Sequence, residues 1–424
     1  MLRPHQLAER LGIHPPTPEQ AAVIEAPLEP MVVMAGAGSG KSETMAGRVV
    51  WLVANGHVRP EQVLGLTFTR KAAAELATRV RKRLAGLAKA GVVPEELLDG
   101  EPTVATYHAY AARLVTDHAL REALEPTMRL VSPAIAWQLA AGVVGRYDGP
   151  MDKVDLGPAA VTAAVLELAG ELAEHLCEPD RVREVGEWLE RLLAAVRRPT
   201  KAQREPLDTQ RAREQLLPLV EEFIRVKRER EVIDHGDQMA LAARIAVRHP
   251  EVGAIERGRY AVVLLDEYQD TSHAQLVLLR ALFGGGHPVT AVGDPCQSIY
   301  GWRGASSGTL RRFPADFPKA DGTPASVRKL STSFRNGERV LQVAARVQEP
   351  LRRELSEVPV LRPGESRAGR GRVIAAFHAT AEEEAEWIAA GVAGLIGHDL
   401  APDGLPWAED GREPVRPRDI AVLA

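Results

Sequence analysis

The chain has 424 residues, of which 45% are apolar and 26% are charged, as in a globular protein large enough for two or three domains. Its formal net charge is −4, which excludes a basic field over the whole molecule, so any nucleic-acid surface has to be a local patch. The two cysteines lie far apart, which argues against a disulfide framework and a zinc site and predicts a cytoplasmic protein. No apolar run approaches about 18 residues, so neither a membrane span nor a membrane partner is expected.

Short apolar runs alternate with helical patterns from residue 31 to about 118. The predicted strands are 31–35, 62–67 and 103–106, and the predicted helices are 42–54, 71–87 and one that begins at Tyr107. Strand–helix alternation of this kind is typical of a parallel sheet that is covered on both faces. The sequence therefore predicts an α/β fold.

The hydrophobic pattern of the sequence changes between about 125 and 250, where long amphipathic stretches replace the predicted strands. This change predicts an all-helical insertion, after which strands at 261–265 and 289–292 complete the interrupted sheet. The predicted organisation is a first domain over 1–120 and 250–326, the insertion over 121–249, and the start of a second α/β domain over 327–424.

A glycine-rich segment links the first strand to the first long helix. Its residues are Ala35, Gly36, Ala37, Gly38, Ser39, Gly40, Lys41 and Ser42. Strand, loop and helix in this order favour a P-loop, in which main-chain N–H groups and the helix N-terminus bind the phosphates of ATP. Lys41 would neutralise the β- and γ-phosphates and Ser42 would ligate Mg²⁺. A plain glycine-rich turn is the alternative.

Adjacent carboxylates follow the apolar strand at 261–265. Because the carboxyl ends of parallel strands form the edge where ligands bind, Asp266 and Glu267 are expected to meet the phosphate loop there. Asp266 would hold Mg²⁺ and Glu267 would deprotonate the attacking water. A solvated acidic turn is the alternative for this pair.

With these two motifs in place, the chain resembles the UvrD/Rep/PcrA family of superfamily 1A helicases. The matching segments in chain order are 17–20 (Q motif), 35–42 (motif I), 66–73 (motif Ia), 106–108 (motif Ib), 266–270 (motif II), 292–305 (motif III) and 333–336 (motif IV). The resemblance implies a RecA-like P-loop fold with the insertion as domain 1B and an incomplete second RecA-like domain.

The resemblance also implies roles for further residues. Gln20 would read the adenine edge, Gln297 would contact the γ-phosphate, and Arg335 would reach that phosphate as an arginine finger. The residues implied to contact DNA are Thr67, Phe68, Thr69, Arg70, His108, Tyr300, Trp302 and Arg303. The two aromatic rings Phe68 and Trp302 suit stacking on unpaired bases, although a core position is the alternative for each.

The activity implied by the resemblance is that of an enzyme that uses ATP and Mg²⁺ and moves 3′ to 5′ on single-stranded DNA. It would separate strands at single-strand/duplex junctions in DNA repair or recombination. A lobe of a larger complex that only binds DNA is one alternative, against which the intact phosphate loop and acidic pair argue. A P-loop kinase or GTPase is another, against which the segments around Phe68 and Trp302 argue.

Three positions depart from the family pattern. Glu43 stands where Arg often follows the phosphate loop, Arg70 where Asn is usual, and Ser333 where motif IV begins with Asn. These departures favour the actinobacterial helicase-nuclease branch of the AdnA/AdnB kind. That branch implies a heterodimer with a second helicase-nuclease subunit.

Two basic stretches, 79–83 and 225–230, are interpreted as solvated helix faces, with tracking of a phosphate backbone as the alternative. Motifs V and VI have no match, and an apolar strand predicted over 419–424 would begin a further motif. A fragment of a longer protein is therefore expected, with weak ATP hydrolysis and no duplex unwinding by itself.

Overall fold

The computed structural model describes residues 1–94, 98, 100–299, 301, 308–354, 357–396 and 415–423. The chain forms two compact units, residues 1–370 and residues 371–424. Within the described ranges, no helix combines the length and the apolar character that crossing a bilayer requires.

Ten strands and sixteen helices are described. The strands are β1 (Met31–Ala35), β2 (Val63–Thr67), β3 (Thr103–Thr106), β4 (Arg129–Leu130), β5 (Val232–Ile233), β6 (Val262–Leu265), β7 (Val289–Gly293), β8 (Ser326–Leu330), β9 (Thr332–Ser333) and β10 (Arg362–Pro363). The helices are α1 (Pro4–Arg10), α2 (Pro18–Ile24), α3 (Lys41–Ala54), α4 (Arg70–Lys89), α5 (Tyr107–His118), α6 (Pro133–Val144), α7 (Pro158–Glu174), α8 (Pro179–Ala194), α9 (Lys201–Glu229), α10 (His235–Arg248), α11 (Pro250–Arg259), α12 (His273–Phe283), α13 (Thr309–Asp316), α14 (Glu338–Val347), α15 (Glu349–Glu354) and α16 (Ala381–Leu395).

Six strands form one parallel sheet in the order β3-β2-β6-β7-β1-β8. The α/β fold with a central parallel sheet is thus confirmed, and the five strands predicted between residues 31 and 292 lie within one residue of the observed bounds. Because the strands all run in the same direction, their carboxyl ends meet at one edge of the sheet, where ligands bind in such folds. That edge carries the residues that follow Ala35, Thr67, Thr106, Leu265 and Gly293.

Both faces of the sheet are covered. Along β1, Val32 and Met34 belong to one core with α5, α10, α12 and α13, whereas Met31, Val33 and Ala35 belong to a second core with α1–α4. Successive side chains of a strand point to opposite faces, so a strand between two helical layers has to be apolar throughout. This explains why β1 reads as a continuous apolar run rather than as an alternation.

The helical insertion has a core of its own, formed by α6, α7 and the C-terminal half of α9. The predicted bounds of 121–249 are too wide, because α10 packs on α5 and α12 and buries Met239 and Ile245 in the core beside the sheet. The insertion is also not purely helical, since β4 and β5 form a short parallel pair. An amphipathic pattern shows that a helix has a buried face, but it does not show which neighbour covers that face.

One member of the basic stretch 225–230 is not solvated. The side chain of Lys227 is 5% exposed, and its Nζ lies 2.8 Å from Asp234 and 2.6 Å from Asp237. Burial of a lysine is tolerated where carboxylates compensate its charge. Arg225 in the same stretch is exposed and pairs with Glu222, as the predicted helix face requires.

The predicted domain boundary at 327 falls inside the first sheet. The strand β8 pairs with β1 along its whole length, from Met31 opposite Ser326 to Ala35 opposite Leu330. The main-chain groups on that side of β1 need a partner strand, and β8 satisfies them, so the sheet ends only at residue 330. Beyond it, β9 and β10 form a separate parallel pair.

The unit of residues 371–424 contains α16, whose N-cap Thr380 accepts a hydrogen bond from the main-chain N–H of Glu383. A short 3-10 turn occupies Pro417–Asp419, and residues 420–423 lie in no strand. The apolar strand predicted over 419–424 is therefore not formed within the described part of that range. A second RecA-like domain in this region stays a prediction.

Candidate nucleotide-binding site

The loop between β1 and α3 has the main chain of a phosphate cradle. Gly38 and Gly40 have φ values of 75° and 81°, in the left-handed region that favours glycine. Gly40 is the N-cap of α3, so the N–H groups of the first helical turn have no acceptor within the helix and carry its partial positive charge. A Cβ at Gly38 would lie 2.5 Å from Cβ of Arg335, and one at Gly40 would lie 2.7 Å from Nε2 of Gln20. The loop therefore fits a chain of phosphates, which binds through main-chain donors.

Lys41, the first residue of α3, reaches the acidic pair that follows β6. Its Nζ lies 2.9 Å from Oε2 of Glu267 across 226 residues of sequence. One strand, β7, separates β1 from β6, so the two loops stand about 10 Å apart, a gap that the extended side chain of a lysine spans. The fold thus brings the phosphate loop and the acidic pair into one site.

Glu267 is held in a strained main-chain conformation. Its φ of 49° is left-handed for a residue that is not glycine, which costs about 1–2 kcal/mol. Its N–H donates to Oδ1 of Asp266 at 3.0 Å, and its Oε2 also accepts from Nε2 of Gln269 at 2.8 Å. Strain of this kind persists where surrounding contacts fix it, and it concentrates at functional sites.

Asp266 lies at the buried end of β6 and is 5% exposed. Burial, together with the neighbouring Glu267 carboxylate, raises the pKa of Asp266 to about 6, whereas Lys41 acts in the opposite direction. Among the described residues, no group of three or more His, Cys, Asp or Glu side chains surrounds a metal position. The binding of Mg²⁺ by Asp266 and the Ser42 hydroxyl stays a prediction.

We expect Asp266→Asn to stabilise the nucleotide-free protein at neutral pH. The folded-state pKa of about 6 lies above the ordinary value of 3.8, so the stability linked to this proton is present at low pH and is lost as the pH rises through about 6. Relative to wild type, the variant should gain about 2–3 kcal/mol of unfolding free energy at pH 7.5 and nearly nothing at pH 4. Urea titrations without nucleotide or Mg²⁺ measure both values, and an equal gain at both pH values would contradict the assignment.

Gln269 joins the loop after β6 to the loop after β7. Its Nε2 donates to the carboxylates of Glu267 and Asp270, at 2.8 and 3.2 Å, and its Oε1 accepts the main-chain N–H of Asp294 at 3.0 Å. The carboxylate of Asp294 accepts from Nε2 of Gln297 at 2.5 Å. A hydrogen-bonded path therefore runs from Glu267 to Gln297, the residue implied to contact the γ-phosphate.

The segment after β8 packs directly on the phosphate loop. The Ser333 hydroxyl donates to the carbonyl of Ala37 at 2.9 Å, and the N–H of Phe334 donates to the carbonyl of Gly38 at 2.8 Å. These two bonds place the main chain of Arg335 against the cradle. The contribution of Ser333 was not expected from the sequence, where it counted only as a departure from Asn. The role of Arg335 as an arginine finger stays a prediction.

Gln20 lies beside the phosphate loop, and both ends of its side-chain amide form hydrogen bonds with main-chain groups of the protein. Its Oε1 accepts the N–H of Thr17 at 3.0 Å, and its Nε2 donates to the carbonyl of Ser39 at 3.1 Å. The residue is 7% exposed. In this structure Gln20 therefore holds the start of α2 against the phosphate loop, and its contact with adenine stays a prediction.

Arg48 of α3 anchors the other end of α2. This fully buried side chain donates to the main-chain oxygens of Val23, Ile24, Ala26 and Pro27. Burial lowers its pKa to about 10, which leaves the guanidinium charged at neutral pH. The four carbonyls include those that a helix leaves without partners at its end. No sequence motif contains this residue, and sequence analysis missed it.

The residues predicted to contact DNA follow β2 and β3 at the same edge of the sheet. Phe68 is half-buried, whereas Thr69 and Arg70 are exposed at the start of α4. His108 lies in the first turn of α5, and its ring is 5.5 Å from that of His235. The positions of these four residues are compatible with a surface contact.

The position of Thr67 does not agree with the predicted DNA contact. It is fully buried as the last residue of β2, and its hydroxyl donates to the carbonyl of Thr69 at 3.1 Å. A side chain that is enclosed and bonded in this way does not face DNA. Tyr300, Trp302 and Arg303 lie outside the described residues.

A family model for the UvrD/REP helicase N-terminal domain matches residues 16–318, more than half of the chain. The chain belongs to this family. The "ATP-dependent DNA helicase PcrA" of Staphylococcus aureus is 27% identical to this UvrD/REP family member over 303 residues, which are 72% of the chain and 36% of PcrA. The "ATP-dependent DNA helicase UvrD2" of Mycobacterium tuberculosis is 29% identical over 392 residues, which are 91% of the chain and 50% of UvrD2. The chain thus spans about a third to a half of the length of these relatives.

The interpretation of 79–83 as a solvated helix face is wrong for Arg83. Its side chain is 12% exposed and forms an ion pair with Glu43 in the first turn of α3. Arg79 contributes to the same cluster, with Nη1 at 3.6 Å from the Glu43 carboxylate. The i, i+4 spacing of the two arginines places them on one helix face, but the carboxylate they meet belongs to another helix.

Proposed function

We propose that this chain is the nucleotide-binding part of an ATP-dependent DNA helicase that moves 3′ to 5′ on single-stranded DNA and separates strands in repair or recombination. The contact between Lys41 and Glu267 carries the proposal, because it unites the phosphate loop with the acidic pair. The printed names of PcrA and UvrD2, both ATP-dependent DNA helicases, support the activity. The polarity and the cellular role rest on the family resemblance.

The groups in the site suit hydrolysis of a nucleoside triphosphate. The cradle and the N-terminus of α3 supply donors for phosphate oxygens, and Ser42 with Asp266 would hold Mg²⁺, which neutralises charge on the phosphates. Lys41 can pair with Oε2 of Glu267, as here, or with phosphate oxygens. The second pairing releases the Glu267 carboxylate, which can then accept a proton from water as a general base.

Single-stranded DNA is the proposed macromolecular partner, with the single-strand/duplex junction as the site of strand separation. Phe68, Thr69 and Arg70 follow β2, which is the direct neighbour of β6 in the sheet. The hydroxyl of Tyr107, one residue before His108, donates to the carbonyl of Asp266 at 3.4 Å. This hydrogen bond therefore connects the segment before His108 with the acidic pair of the proposed nucleotide site. A heterodimeric helicase-nuclease partner is a further proposal that rests on the resemblance alone.

ATP hydrolysis with and without single-stranded DNA tests the proposal. We expect single strands to raise the wild-type rate severalfold and Lys41→Ala to lower the stimulated rate by about a hundredfold, because the site loses a charge where negative charge develops. Lys89→Ala, which truncates an exposed lysine in the last turn of α4, is the matched control and should hydrolyse ATP as wild type does. A rate that single strands leave unchanged would contradict a translocase and favour a lobe that only binds DNA.

A further inference from the structure

A groove of about 620 Å³ lies between α4 and the loop that follows α1, residues 11–17. It runs along the helix from Lys71 to Gly86, which is about 22 Å at the rise of an α-helix. A Cβ at Gly86 would lie 3.0 Å from Cδ2 of Leu11, so this glycine lets the loop approach the helix closely at one end of the groove. The groove is therefore long and narrow rather than round.

The loop side of the groove is apolar. Leu11 and Ile13 line it there, and Ala74 of α4 adds to the same apolar surface. None of the three residues is fully buried. Apolar side chains that line a concave surface and remain in contact with water are typical of binding sites. The hydrophobic effect therefore favours an occupant that covers this side of the groove.

The α4 side of the groove is positively charged. Its cations are Lys71, Arg79, Lys82 and Arg83, and its carboxylate is Glu75. The two arginines pair with Glu43, and Lys71 lies 4.0 Å from Glu75, whereas Lys82 has no carboxylate partner in the described part of the chain. Four cations thus meet two carboxylates, although the whole chain has a net charge of −4. This local excess of positive charge attracts an anionic occupant.

The length and the two unlike sides of the groove fit an extended peptide. At about 3.3 Å per residue, a groove of about 22 Å holds about six or seven residues of extended chain. Successive side chains of such a chain point in opposite directions, so alternating acidic and apolar residues would meet α4 and the loop at the same time. A DNA backbone would satisfy the cations with its phosphates but would leave Leu11 and Ile13 uncovered.

We propose that the groove between α4 and the loop after α1 docks an extended acidic segment of a partner protein. Lys71 and Lys82 meet the carboxylates of this segment, and Leu11 and Ile13 meet its apolar side chains. The described lining contains no residue of the phosphate loop or of the acidic pair. The docking site is therefore independent of the proposed ATP hydrolysis.

Fluorescence anisotropy of the labelled peptide Glu-Leu-Glu-Leu-Glu-Leu-Glu, titrated with the whole chain, tests the proposal. We expect saturable binding that Lys82→Glu weakens by about tenfold, because a like charge then faces the peptide. Lys201→Glu makes the same charge change on an exposed lysine at the start of α9 and should alter the affinity by less than about twofold. The peptide Glu-Ser-Glu-Ser-Glu-Ser-Glu has the same charge without apolar side chains and should bind at least about fivefold more weakly.

Ala74→Arg distinguishes the groove from a diffuse attraction between charges. The substitution adds a positive charge, but its long side chain occupies the groove from an exposed position on α4, so we expect weaker peptide binding. Equal affinity for the two peptides, an unchanged affinity in Lys82→Glu or tighter binding in Ala74→Arg would overturn the proposal. Binding of oligothymidylate that Lys82→Glu abolishes, without binding of either peptide, would overturn it in favour of a DNA backbone. Equal urea midpoints of the variants exclude misfolding as the cause of a lost affinity.

Discussion

Glu267→Gln is expected to lower ATP hydrolysis by about 10²–10⁴-fold, the usual contribution of a general base. The amide keeps the shape of the side chain and a polar contact with Gln269, but it cannot accept a proton from water. Lys41 also loses its carboxylate partner, which leaves the ammonium free for phosphate oxygens. The affinity for ADP should therefore remain within a few-fold of wild type or rise.

Steady-state hydrolysis in the presence of single-stranded DNA, paired with ADP titration, measures both quantities. Glu75→Gln, which alters an exposed glutamate of α4, is the control for the substitution itself. Retention of activity within about tenfold of wild type would assign the proton transfer to another group. A parallel loss of ADP binding would point instead to collapse of the loop.

Gly38→Ala is expected to destabilise the protein by about 2–5 kcal/mol and to weaken nucleotide binding. The new Cβ would impose the left-handed penalty on alanine, about 1–2 kcal/mol. It would also lie 2.5 Å from Cβ of Arg335 and 2.9 Å from the Ser333 hydroxyl, an overlap that typically costs about 1–3 kcal/mol more. We expect the segment after β8 to move away from the phosphate loop to relieve this overlap.

Gly56→Ala is the control for the left-handed penalty alone. Gly56 has a φ of 70°, and a Cβ there would meet nothing within 4 Å. Urea titration should therefore show a loss of only about 1–2 kcal/mol for this variant, without an effect on ADP affinity. Equal losses of unfolding free energy for the two alanine variants would show that Ser333 and Arg335 do not overlap with a Cβ at position 38.

The elements of the nucleotide site could be predicted because each is encoded in contiguous residues. The glycines of 35–42, between an apolar strand and a helix, predict a phosphate loop by their torsional freedom alone. The apolar run before Asp266 predicts a buried strand, and parallel strands place their carboxyl ends at one edge. That argument correctly anticipates that Lys41 and the acidic pair meet.

Contacts between distant segments could not be predicted in this way. The helix α10 has a clear apolar face, but only the packed structure shows that this face joins the core of α5 and α12 beside the sheet. The polar Thr67 reads as a DNA contact in its motif, yet its place at the end of a central strand buries it. The ion pair of Arg83 with Glu43 depends on how α4 lies beside α3.

The sequence by itself determined the family, the parallel sheet and the residues of the phosphate loop and acidic pair, because torsional preference and apolar periodicity are properties of neighbouring residues. The tertiary structure alone decided that β8 completes the first sheet, that the segment after it rests on Gly38, and that Glu43 pairs with Arg83. These arrangements depend on which apolar and polar surfaces pack together when distant segments meet. Because that packing involves the whole chain, no single segment of the sequence determines it.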